Sequence, residues 1–278
     1  MVIIQAFMPQ SVESVGHQKA YESKIIVRQF WGIISMFGVS ILSKFMFQYR
    51  FGRSYDEFIM DNNSFDLLIM LYLIFFFLWA ISMLLGNAFR VTKYELAVED
   101  GSESLMDKDL MKVRSAKELT KIKVWYYIED IFECLTWGVI LSALPPVPFY
   151  VSYITGTAIA FFATLEGYYH KERYAGLSSV GWSLSIGSGT LLLANVFLNL
   201  HWYDNVLSIV SIVASFLVIA GNIAENDVWE KIQTNCPDFS LVEQERVLEG
   251  YCYSKSNEVV FHSRNIIGQL MCLLSGGD

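Results

Sequence analysis

Apolar residues in this chain gather into long uncharged runs up to residue 224, with polar residues falling between the runs rather than alternating within them. A helix that crosses the ~30 Å hydrocarbon layer of a bilayer needs about 20 such residues at ~1.5 Å each. Residues 65–89, FDLLIMLYLIFFFLWAISMLLGNAF, meet that length with Asp66 at the leading edge as their single charge. Residues 147–165, 177–200 and 205–224 contain no Lys, Arg, Asp or Glu. Residues 25–47 carry Arg28 near one end and Lys44 near the other, where long basic side chains can reach the interface. Residues 124–144 form a sixth run, although Glu129, Asp130 and Glu133 stand near its start, and an interfacial helix is the alternative there. The pattern predicts an all-α fold, a polytopic transmembrane helix bundle of about six spans.

After residue 225 the character changes. NCPDFS at 235–240 reads as a turn and a helix start, 241–248 has helical character, and 257–274 suits a second short helix. Mixed in composition, these residues are expected to form a cytoplasmic C-terminal tail. The charged connection 95–123 places Met106, Leu110 and Val113 at helical spacing, as expected of a helix lying on the membrane or extending the third span. The expected organisation is therefore an N-terminal cytoplasmic segment at 1–23, a membrane domain at 24–225 and the tail at 226–278.

Charge supports this layout independently. Lys and Arg collect on cytoplasmic loops of membrane proteins. Here Lys19, Lys24 and Arg28 flank the first span, eight Lys and Arg residues from Arg90 to Lys123 fill the second connection, and Lys171 and Arg173 fill the fourth. The intervening segments 145–148 and 201–204 have none. Arg50 and Arg53 dilute the pattern in the first outer loop, offset by Asp56, Glu57 and Asp61. Both termini are expected in the cytoplasm. A composition 54% hydrophobic and 15% aromatic fits an integral, multi-pass protein of the endoplasmic reticulum or another cellular membrane. Residues 1–7 are too short for a secretory signal, so the first span is expected to direct insertion. The triplet NNS at 62–64 is a glycosylation sequon on the expected outer side.

Several chemistries are excluded. The histidines, His17, His170, His201 and His262, show no HxxxH or HxxHH spacing, so a histidine-bound di-iron centre is not expected. Cys134, Cys236, Cys252 and Cys272 lack the close pairing of a zinc site or a disulfide frame. No nucleotide-binding loop occurs, and the glycines at 187–189 suit close helix packing. A net charge of −8 argues against nucleic acid. No metal or cofactor is expected; the lipid bilayer is the expected surrounding.

The acids of the third run then stand out. Glu129 and Glu133 share a helix face with Trp125 and Trp137, whereas Asp130 points elsewhere. In the expected topology Glu166, Glu225 and Asp227 reach the same membrane level. Acids at span ends also mark the water boundary or favour a helix N-terminus, which suits Glu129, Asp130, Glu166 and Asp227. Glu133 lies deeper, where a carboxyl group must face protein or a wet cavity. Asn195, Asn199 and His201, near the opposite face, suit interhelical hydrogen bonding. A carboxylic acid held neutral in an apolar pocket can protonate an alkene or epoxide, and aromatic faces can stabilise the resulting cation.

GLSSVGWSLSIGSGTLLLANVF at 176–197, through Gly176, Ser178, Trp182 and Gly187 to Gly189, resembles a late helix of the small fungal integral-membrane terpene cyclases of meroterpenoid and indole-diterpene biosynthesis. The resemblance covers about residues 153–227. It implies proton-initiated cyclisation of an apolar prenylated intermediate, with Glu225 or Asp227 in the place of the family's last-helix acid. Glu133 joins them as a catalytic acid by functional analogy, with Glu129, Trp137 and Trp182 lining the substrate. The chain departs from the family in its six predicted spans against seven, in lacking an Asn-x-x-Trp-Glu motif, and in Ser185 where an Arg is common. The alternative is a non-enzymatic membrane protein, either a cation channel or transporter or a subunit of a larger complex. The dipeptide Gly-Asn at 86–87 and 221–222 is too short to establish the internal repeat a transporter often carries.

Overall fold

The structure, a computed structural model, describes residues 12–51, 62–91, 116–142, 146–198 and 201–275. Among these residues the ordered elements are all helices: α1 (Val12–Phe51), α2 (Asn62–Val91), α3 (Ala116–Ser142), α4 (Pro146–Tyr169), α5 (Lys171–Tyr174), α6 (Leu177–Leu198), α7 (His201–Ile223), α8 (Val228–Asn235) and α9 (Leu241–Ser275). Each of the six predicted runs falls largely within one helix, and residues 143–144 and 199–200 lie outside the described residues. Three stretches, Val15–Met46, Pro146–Tyr169 and Asp204–Ile223, are long and apolar enough to cross a membrane, and Ile69–Ser82 in α2 is a shorter apolar helix. Met106, Leu110 and Val113 lie outside the described residues, as do residues 1–11 and the acidic stretch from Asp56 to Asp61.

The main correction concerns the tail. Residues 241–275 form one helix of 35 residues rather than two short ones, and it packs against α1, α3, α4 and α7. Ser240 starts it with a capping box: its N–H and hydroxyl both donate to the Glu243 carboxylate, and its carbonyl accepts from the Glu243 N–H. Between 241 and 275 no proline breaks the backbone hydrogen bonding, so the helix runs through the polar stretch at 254–258. Val259, Val260, Ile266 and Ile267 are fully buried, which makes α9 the centre of the bundle.

Contacts along α9 give the direction of its neighbours. On α1, Tyr21, Arg28 and Gly32 meet Tyr251, Ser256 and Arg264 in that order, so the two helices run the same way. On α3, Tyr126, Asp130 and Trp137 meet Tyr253, Arg264 and Gly268, again the same way. α7 runs oppositely, with Asn222, Ser215 and Ser211 meeting Glu258, His262 and Asn265. α9 therefore traverses the depth that α7 traverses. The start of α1 lies beside the end of α7, where Gln18 Nε2 donates to the Glu225 carbonyl at 2.9 Å. The described chain consequently begins at one end of the bundle and finishes at the other.

Two adjacent glycine contacts bring α7 close to its partners. A Cβ on Gly221 would stand 2.4 Å from the Ser178 backbone nitrogen of α6, and one on Gly167 of α4 would stand 2.3 Å from the Ala220 carbonyl oxygen. Such small-residue contacts let backbones approach where packing, rather than exclusion from water, drives association. Below that end, Asp227 takes a left-handed conformation (φ 61°) and turns the chain into α8. Val228, Trp229 and Ile232 of α8 are buried, and Trp229 stacks on His17 of α1 at 3.9 Å between ring centroids. Outward faces remain apolar, as at Trp31, Phe45, Phe77, Ile154 and Ile186, the surface a bilayer would solvate.

Candidate functional site

One face of α9 answers the acids of α3. Arg264 is fully buried, and its guanidinium donates from Nη2 to Asp130 Oδ1 at 2.8 Å and stands 3.2 Å from Glu133 Oε2 through Nη1. Nε and Nη2 also donate to the Gly32 carbonyl at 3.1 and 3.0 Å, and Nη2 donates to Ser35 Oγ at 3.2 Å. Arginine supplies five donors in a rigid plane, which suits it to bridge two carboxylates and a carbonyl at once. One turn earlier on α3, the buried Glu129 accepts from Asn257 Nδ2 at 2.6 Å. Alone, a buried cation or carboxylate would be expelled or neutralised; together they compensate one another. Glu133 Oε1, buried, makes no hydrogen bond.

The opposite face of α9 carries a second polar system, made of neutral groups in its middle. Lys255, Glu258, His262, Asn265, Gln269 and Cys272 recur at intervals of three and four residues, so they form one stripe. α7 presents a matching stripe of Asp204, Ser208, Ser211, Ser215 and Asn222. Where the stripes meet, Asn222 Nδ2 donates to Glu258 Oε2 at 2.9 Å, and His262 Nδ1 pairs with Ser215 Oγ at 3.1 Å. Asn265 Nδ2 donates to Ser215 Oγ at 2.8 Å and Ser211 Oγ at 2.9 Å, and Gln269 Nε2 donates to Asn265 Oδ1 at 3.3 Å. α6 closes the third side: Trp182 Nε1 donates to Glu258 Oε2 at 3.3 Å, and its ring meets His262 edge-to-face at 4.7 Å. His262 Nε2 and Ser185 Oγ are both buried without a hydrogen-bond partner.

The residues expected from sequence to form one site are distributed over three places. Glu129 and Glu133 belong to the Arg264 centre. Trp137 packs against α9 there, where a Cβ on Gly268 would lie 2.3 Å from its ring. Trp182 belongs to the α6–α7–α9 seam. Glu225 and Asp227 sit in the link between α7 and α8. Glu225 accepts from Tyr251 Oη at 2.7 Å and pairs with Lys231 at 3.6 Å. Tyr251 and Arg264 are separated by thirteen residues of α9, or about 20 Å along the axis. Glu133 and Glu225, the two acids expected to act together, are therefore at different depths. Sequence reasoning passed over Glu258, His262, Asn265 and Arg264; the stripe spacing of the first three, matched on α7, was the available signal, whereas Arg264 lies off that stripe.

Compared with family models, with curated proteins and with solved structures, the chain matches none.

Proposed function

We propose that the chain is a non-enzymatic polytopic membrane protein of the transport class, which moves a small cation along the seam between α6, α7 and α9. In this reading α1, α2, α3, α4, α6, α7 and α9 all cross the bilayer, so α9 is a seventh traverse and the C-terminus lies opposite the cytoplasmic N-terminus. The observation that carries the proposal is the continuous polar stripe on α9 from Glu258 to Gln269, paired with Ser211, Ser215 and Asn222 of α7. Ionisable and amide groups inside a membrane bundle are costly, and chains of them mark ion and proton pathways. Terpene cyclisation is less well supported. Its two expected acids do not share a site: Glu133 pairs with Arg264, whereas Glu225 accepts from Tyr251 at a different depth of the bundle.

Purified protein in liposomes under an imposed membrane potential tests the proposal. Indicators for H+, Na+ and K+ should report entry of at least one cation several-fold faster than in protein-free vesicles. Asn265→Leu, which interrupts the seam, should abolish that entry. Vesicles that contain folded protein and pass none of the three cations contradict the reading.

A further inference from the structure

Resting on that transport reading, we infer that the ion moved is the proton and that His262 carries it through the middle of the bundle. α7 and α9 are joined across the seam by direct side-chain hydrogen bonds of 2.8 to 3.1 Å, and His262 and Ser215 are fully buried. A metal cation needs several oxygen ligands around it, and no such shell fits between groups already in contact. A proton needs only a chain of groups that can accept on one side and donate on the other.

Imidazole does this better than any other side chain, because one ring nitrogen can take a proton while the other gives one up. His262 has the required asymmetry: Nδ1 is engaged with Ser215 Oγ, and Nε2 is buried with no partner. One turn earlier on the same face, Glu258 stands at the mouth of the seam with its side chain 25% exposed, in reach of water. Asn222 and Trp182 donate to it, and Lys255 pairs with it at 3.7 Å. The charged groups around His262 are few. Its own helix brings Lys255 and Glu258 on this face and Arg264 toward α3; α7 brings Asp204 at the far end; α6 brings none. Glu129, Asp130 and Glu133 of α3 face Asn257 and Arg264 instead.

In the proposed step, Glu258 takes a proton from water at the Asn222 end and passes it through one bridging water to Nε2 of His262. Nδ1 releases its proton to Ser215 Oγ, whose own hydroxyl hydrogen passes to Ser211 Oγ; Ser211 gives up its hydrogen in turn, and the last proton leaves to water at the Asp204 end of α7. Each transfer breaks one O–H or N–H bond and forms another, and no electrons are exchanged. Ser185 Oγ, buried and unpartnered on α6, supplies a further hydroxyl at the seam.

Proteoliposomes with a trapped pH indicator test the inference. Wild-type vesicles should take up protons under an inside-negative potential, slowed about twofold in heavy water. His262→Asn keeps a group that can bond Ser215 but cannot relay a proton, and His262→Phe removes both functions. Each should lower proton entry at least tenfold, as should Glu258→Gln. Circular dichroism melting identifies any variant that fails to fold. Full proton entry through folded His262→Asn overturns the inference. Entry of Na+ or K+ without protons in the wild type overturns it too while leaving the transport reading intact, and vesicles passing no cation remove both.

Discussion

The two faces of α9 solve the same problem by different means. Toward α1 and α3, Arg264 is enclosed by two carboxylates, two carbonyls and a hydroxyl, so its donors are committed and its charge is answered. Toward α6 and α7, the middle of the stripe is neutral, its bonds are those of amides, hydroxyls and an imidazole, and two polar atoms keep capacity to spare. A buried ion cluster resists rearrangement because separating any member leaves a buried charge. A neutral chain with unused capacity can exchange partners at little cost. We therefore assign the first face to holding the bundle together and the second to its activity.

Removing the cation should break the holding face most severely. Arg264→Leu leaves Asp130 and Glu133 facing each other without compensation and should destabilise the protein by on the order of 3–5 kcal/mol, read as loss of folded protein in detergent. Adding Asp130→Asn and Glu133→Gln to that variant should recover much of the loss. Failure to recover would mean that the carboxylates are held by something other than Arg264.

A smaller effect is expected where α6 meets α7. Gly221→Val pushes a side chain into the Ser178 backbone and should cost about 1–3 kcal/mol in thermal stability. Because it separates two walls of the seam, it should reduce cation entry more than its stability loss explains. Equal reductions in folded protein and in entry would blur the distinction between the two faces. Glu129→Gln should do least: the amide oxygen still accepts from Asn257, so stability should change by less than about 1 kcal/mol and cation entry should not change. A large loss of entry in this variant would move the activity to the α3 side.

The predicted runs became helices because long uncharged apolar stretches leave few alternatives: residues 65–89 lie within α2 and 205–224 lie almost wholly within α7. α9 was hidden by its own chemistry. It carries polar residues toward several neighbours: Asn257 and Arg264 toward α3, Ser263 toward Gln29 of α1, and His262 and Asn265 toward α7. A hydropathy reading counts those residues as water-facing, although each is answered by a group far away in the sequence. The acids in WYYIEDIFECLTWG posed the reciprocal problem. Their position was visible, but the cation that explains Asp130 comes 134 residues later. The candidate site was legible only through Trp182 on α6; the rest of the seam depends on which helices lie next to α9.

The account stands on α9 crossing the bundle rather than hanging below it, and sidedness tests that directly. An epitope fused after Asp278 and another fused before Met1 would be probed by antibody in sealed cells or vesicles, before and after the membrane is permeabilised. The account predicts that the two tags lie on opposite sides, with the C-terminal one away from the cytoplasm. Both tags on the cytoplasmic side would contradict it.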